Sequence, residues 1–172
     1  KKYLRKLQNH KDISLLFRND GSLCHLRKTG FDTENISEIL DNGFFLRECD
    51  LDARTDPGSA NYCCINVVHD QLSFYGNKHF CTDESYYKFS ADLIRELEKV
   101  GFDKIIMVPH IYQDYIAITE VLKKLDRRIT NNKIVVLECS QGERNAMKTF
   151  GVYNNSIVNI GTRFNTNVCS FT

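Results

Sequence analysis

Lys104-Ile105-Ile106-Met107-Val108 and Lys133-Ile134-Val135-Val136-Leu137 are two short apolar runs, and what surrounds them decides the fold. A continuous aliphatic run of this length has the pattern of a strand buried on both faces. Between the two runs, Tyr115, Ile118, Val121, Leu122 and Leu125 recur at helical spacing. Working outward, residues 83–100 place Phe89, Leu93, Ile94, Leu97 and Val100 along a helix, and Gly101 stands where a helix ends. Downstream, a short helix over residues 143–150 leads to a third strand, Ile157-Val158-Asn159-Ile160. Strands alternating with helices imply right-handed crossovers and a parallel sheet covered on both faces. The expectation is an α/β fold, a three-layer domain with a mixed sheet whose C-terminal half is a parallel β-α-β-α-β unit.

The N-terminal half is less regular and reads as α+β. Lys1 to Lys6 is locally basic and suits a solvated helix. Ile13 to Phe17 is a candidate strand, and Asn19-Asp20-Gly21 is the strongest hairpin signal in the chain. Asp32 or Thr33 can cap a short helix carrying Ile36, Ile39 and Leu40, ended by Gly43. Phe44 to Arg47 reads as a strand and Asp50 to Ala60 as a loop. Tyr62 to Val68 and Leu72 to Tyr75 read as two further strands around a turn at His69-Asp70.

A chain of 172 residues suits one domain and can bury a sizeable core without staples. Its 23 basic and 22 acidic residues nearly cancel, which argues against nucleic acid or a membrane surface as partner, since both require a strong positive field. No apolar run approaches the length of a membrane span. The seven cysteines are odd in number, several lie in apolar stretches, and no C-x-x-C pair occurs. They read as reduced thiols in a reducing compartment such as a cytoplasm, with no metal site of standard spacing. The absence of both an initiating Met and a signal-type apolar segment suggests a piece of a longer chain.

In parallel sheets, reactive groups gather beyond the carboxyl ends of the strands, where helix N-termini converge. The strand 104–108 runs into Pro109-His110, and the strand 133–137 runs into Glu138-Cys139-Ser140-Gln141-Gly142. If the strands are neighbours, His110 and Cys139 face each other across a gap of about 5 Å. A thiol needs such company, because at its ordinary pKa only a small fraction is thiolate near neutrality. Asp70, at another strand end, can orient His110 as a third member. Asp114 can do the same, although capping the following helix is its commoner use. A Cys or a His at a strand end is, taken singly, more often structural than catalytic.

The segment from Lys133 to Gly142 resembles the nucleophile strand of caspase-like (clan CD) cysteine peptidases and, more broadly, of bacterial effector and toxin cysteine proteases. There an apolar strand leads to a Cys followed closely by Gly, and an earlier strand ends in the catalytic His. The resemblance covers residues 104–142. It implies a cysteine-dependent hydrolase with catalytic Cys139 and His110, to which the residue reading adds Asp70, with a protein substrate and no cofactor, working in a host cytosol if the protein is a secreted effector. It departs from the family where Ile111, not Gly, follows His110, and in the short spacing from His110 to Cys139. Two alternatives stand beside it. Cys24-His25 followed by Ile36 to Leu40 is similar to the His motif of ADP-ribosyltransferases, which would make His25 an NAD-binding residue. The basic N-terminal segment or the 50–60 loop suits a non-catalytic interaction domain. Neither G-x-G-x-x-G nor a P-loop motif occurs, so nucleotide-driven chemistry has no direct support.

Overall fold

The computed structural model describes residues 2–40, 61–70, 82–139, 142–163 and 166. Where the length suggests one domain, the chain divides into two compact units, Lys1–Phe45 and Leu46–Thr172. The expected strands at 44–47 and 72–75 and the expected loop at 50–60 lie outside the described residues.

The first unit contains α1 (Lys2–Gln8), β1 (Leu15–Arg18), α2 (Ser22–Lys28) and β2 (Ile36–Ile39). Its strands are parallel, with Leu15 opposite Ile36 and Arg18 opposite Ile39. Two sequence expectations are corrected here. Asn19-Asp20-Gly21 closes no hairpin. It starts α2, with Gly21 at φ +88° as the N-cap residue and Asp20 Oδ1 accepting the Ser22 N–H at 3.0 Å. A tight turn cannot join parallel strands, so the chain must cross over by a helix. Ile36 and Ile39 belong to a strand and not to a helix. Ile36 gains more from burial against Leu23 and Phe31, together with a backbone ladder to β1, than a helix of one or two turns offers.

The second unit follows the alternation legible in the sequence. It contains β3 (Tyr62–Asn66), α3 (Asp83–Val100), β4 (Lys104–Met107), α4 (Asp114–Leu122), α5 (Arg127–Asn132), β5 (Ile134–Val136), α6 (Glu143–Asn154) and β6 (Val158–Gly161). The sheet order is β5-β4-β3-β6 and every pairing is parallel. The antiparallel member of a mixed sheet is not among the described strands. Helix boundaries follow local chemistry. Thr82 and Ser85 form a reciprocal capping box at the start of α3, and Gly101, at φ +102°, ends it. The Asp126 side chain accepts the Ile129 N–H at 3.0 Å and opens α5, so the expected long second helix becomes two.

Strand alternation sorts the core into two layers. Cys63, Ile65, Ile105 and Met107 face α3, α4 and α5, packing against Ala91, Ile94, Ala117, Ile118, Val121 and Ile129. Tyr62, Cys64, Ile106 and Val108 face the other way, toward Val152 and Tyr153 of α6. The chain therefore winds outward from β3 through β4 to β5, crosses the opposite face as α6, and adds β6 on the far side of β3. The order reverses between β3 and β6, and in open parallel sheets such a reversal is where ligands gather, at the carboxyl ends of the strands.

Candidate functional site

Polar side chains collect at this point of reversal. Asn66 ends β3, is buried, and braces its surroundings: its amide donates to the Val108 carbonyl at 2.9 Å and its Oδ1 accepts the Arg163 N–H at 3.3 Å. Arg163 follows β6. Its guanidinium meets Asp114, in the first turn of α4, as a two-pronged fork, with Nε to Oδ2 at 3.0 Å and Nη2 to Oδ1 at 2.6 Å. Nη2 also reaches Asp70 Oδ1 at 2.6 Å. Asp114 is 0% exposed and Arg163 9%. Removing one partner of so buried a pair costs about 3–5 kcal/mol, because the other is left charged and unpaired. Burial alone would lower the Arg163 pKa, but the Asp114 carboxylate, helped by Asp70, outweighs it and holds the guanidinium charged.

Asp114 Oδ2 also accepts the backbone N–H of His110 at 2.9 Å and of Ile111 at 3.3 Å, so one carboxylate sets both the arginine and the turn that carries the histidine. The His110 ring is anchored at its other end. Nε2 lies 2.8 Å from the hydroxyl of Tyr153, a fully buried residue of α6, and 3.3 Å from Thr166 Oγ1. Burial pushes the imidazole down to about 4; the neighbouring Arg163 adds to this and Asp114 opposes it. His110 is therefore neutral at physiological pH. Thr166 reaches its place because Gly161 has no side chain: a Cβ there would stand 2.1 Å from the Thr166 methyl group.

Three side-chain atoms of this cluster have no hydrogen-bond partner among the described residues: the donor Arg163 Nη1, the ring nitrogen His110 Nδ1 and the acceptor Asp70 Oδ2. Among the described residues no fully buried side-chain nitrogen or oxygen lacks a partner, so none of these atoms is completely enclosed. The site offers them to a ligand.

The sequence-derived residues fare differently. His110 and Asp70 do belong to one cluster, linked through Arg163, but Asp70 bonds the guanidinium and not the imidazole. Cys139 stands at the end of β5, the neighbour of β4, and its backbone N–H donates to the Tyr115 hydroxyl at 2.7 Å. The Cys139 thiol is buried, and no hydrogen bond joins it to His110. Burial, then the Asp114 charge, raise its pKa, with Arg163 opposing. His25 lies exposed on α2 in the first unit. Arg163, Asn66, Tyr153 and Thr166 escaped the sequence reading. Arg163 had a usable signal, since it comes two residues after the third strand of the alternating pattern, where a doubly wound sheet puts its ligand contacts.

Among the described residues no three His, Cys, Asp or Glu side chains are grouped to hold a metal ion, and no helix is long and apolar enough to cross a membrane. No protein-family model matches this chain, and neither a curated protein nor a solved structure is significantly similar to it.

Proposed function

We propose that this domain binds a small, oxygen-rich polar substrate in the crevice between β3 and β6, as the substrate-holding part of an enzyme, with Arg163 and His110 touching the ligand. The observation that carries the reading is the locked guanidinium: Asp114 and Asp70 occupy Nε and Nη2, while Nη1 has no hydrogen-bond partner among the described residues. Donors immobilised in this way bind without the entropic cost of ordering a flexible arginine. The charge of the cluster narrows the ligand. Two carboxylates oppose one guanidinium and His110 is neutral, so the field does not suit a multiply charged phosphate. Hydroxyl- or carbonyl-bearing compounds, such as sugars, match it better. The test is titration of the full chain with glucose, sorbitol, acetate, inorganic phosphate and ADP, following Arg163 and His110 side-chain resonances. Neutral or singly charged compounds should shift both, and Arg163→Lys, which keeps the charge but loses the fork, should weaken the response at least tenfold. Lack of response to every compound, or an equal response in Arg163→Lys, refutes the reading.

A second reading is the cysteine-dependent hydrolase with Cys139 as nucleophile, His110 as base and Asp70 in support. It is favoured by the parallel pairing of β4 with β5, which brings the His110 and Cys139 loops to the same, carboxyl end of the sheet. The raised thiol pKa and the engagement of His110 with Tyr153 weigh against it. Alkylation by iodoacetamide near neutral pH separates the two readings. A hydrolase should label Cys139 faster than exposed Cys24, with His110→Ala removing the difference. In a ligand-binding crevice Cys24 reacts first.

A further inference from the structure

The His110 ring carries information about the ligand that the arginine does not. Its neutral imidazole has one N–H and one bare nitrogen, and the partner at Nε2 decides which nitrogen is which. The nearer partner is the Tyr153 hydroxyl, at 2.8 Å, with the Thr166 hydroxyl at 3.3 Å from Nε2 and 3.4 Å from the phenol. A phenol is a far stronger acid than a neutral imidazole N–H, and imidazole nitrogen is a better acceptor than a phenolic oxygen, so the favoured arrangement is O–H donating to bare Nε2. The proton of the ring then sits on Nδ1, the nitrogen that neither Tyr153 nor Thr166 engages.

Resting on the reading of this crevice as a ligand site, we propose that His110 serves there as a hydrogen-bond donor through Nδ1, held in that tautomer by the Tyr153 hydroxyl, so that the ligand presents an acceptor oxygen to it. Tyr153 is then a positioning residue for His110, reaching it from α6 while its ring is buried in the core layer on that face of the sheet. The rest of the pocket keeps the ring in this role. Thr166 closes off Nε2 from the third side at 3.3 Å, Gly161 makes room for Thr166, and Asp114 pins the His110 backbone. With Arg163 Nη1 also a donor, the crevice offers two N–H groups. At these two groups the ligand is accordingly recognised through carbonyl, carboxylate or hydroxyl oxygens acting as acceptors.

The experiment is nitrogen-15 NMR of the full chain with labelled histidine at neutral pH, without ligand. The expected spectrum shows His110 with its proton on Nδ1 and none on Nε2. In Tyr153→Phe the His110 resonances should move toward a mixture of tautomers while those of the other histidines stay in place. A wild-type ring protonated at Nε2 overturns the proposal whatever the variant does, and so does a Tyr153→Phe spectrum with the His110 tautomer unchanged. Titration then distinguishes this failure from that of the crevice itself. Dimethyl sulfoxide, which only accepts, should shift the Nδ1 resonance, and methylammonium, which only donates, should not. A response to methylammonium alone overturns the donor assignment and leaves the crevice standing. No response to either probe, nor to the sugars and anions above, overturns both.

Discussion

A histidine forced to stay neutral in the folded state ties stability to pH. His110 takes up a proton near 4 when folded, against 6.5 for an unperturbed histidine. Between these values the unfolded chain binds more protons, so stability rises with pH. The contribution is complete above about 6.5 and is lost as pH falls through about 4, a span worth about 3 kcal/mol. Urea unfolding at a series of pH values should show this slope, and His110→Gln should flatten that part of the profile. A wild-type slope that persists unchanged in the variant would place the titrating group elsewhere. Asp114, which turned the His110 loop and clamped Arg163 at once, shows why the residue scale was only half legible in advance. Its place before an apolar helical stretch suggests a cap, but the helix has no side-chain cap bond; the buried carboxylate accepts the His110 and Ile111 N–H groups instead, and its pairing with Arg163 joins residues 49 positions apart.

At the scale of elements, helix ends were written locally and strands were not always. The capping box of Thr82 and Ser85 lies within four residues of sequence, and α3 begins and ends where the residues predict. Thr82→Ala should cost about 1 kcal/mol, read as a lowered midpoint in chemical denaturation, because the first-turn N–H groups lose their acceptor. Thr82→Ser should restore most of that loss, while an unchanged midpoint in the alanine variant would show that the cap is dispensable. The segment 36–39 went the other way. Its spacing of isoleucines fits a helical face, but its partner strand lies some twenty residues earlier, and no local rule announces the parallel pairing of Leu15 with Ile36.

For the whole molecule, the inner strands β3 and β4 carry the stability of the second unit. Both are ladder-bonded on two sides, and their side chains alternate between the two core layers. Backbone amides of residues 62–66 and 104–107 should therefore exchange with deuterium most slowly, with β5 and β6, the outer members of the described order, exchanging faster. Uniform exchange across the four strands would deny the sheet order a role in local stability. The cysteines fit this picture. Cys63 and Cys64 sit one on each face of β3, where burial pushes their thiols up to about 11 and about 12, and they act there as small apolar side chains.

The sequence by itself determined the α/β class of the C-terminal half and the places of its strands from residue 104 onward, together with the bounds of the helix Asp83–Val100. Those properties depend on periodicity and on caps, which act over one or two helical turns. Only the tertiary structure decided that Tyr62 to Asn66 is an inner strand, that β6 returns beside β3, and hence that Arg163 meets Asp70 and Asp114. It also decided that His110 faces Tyr153 and Thr166, with no hydrogen bond to Cys139. The physical reason is that strand order is set by which helices cover which face. That competition among apolar surfaces is summed over the whole unit, and no single stretch of residues encodes it.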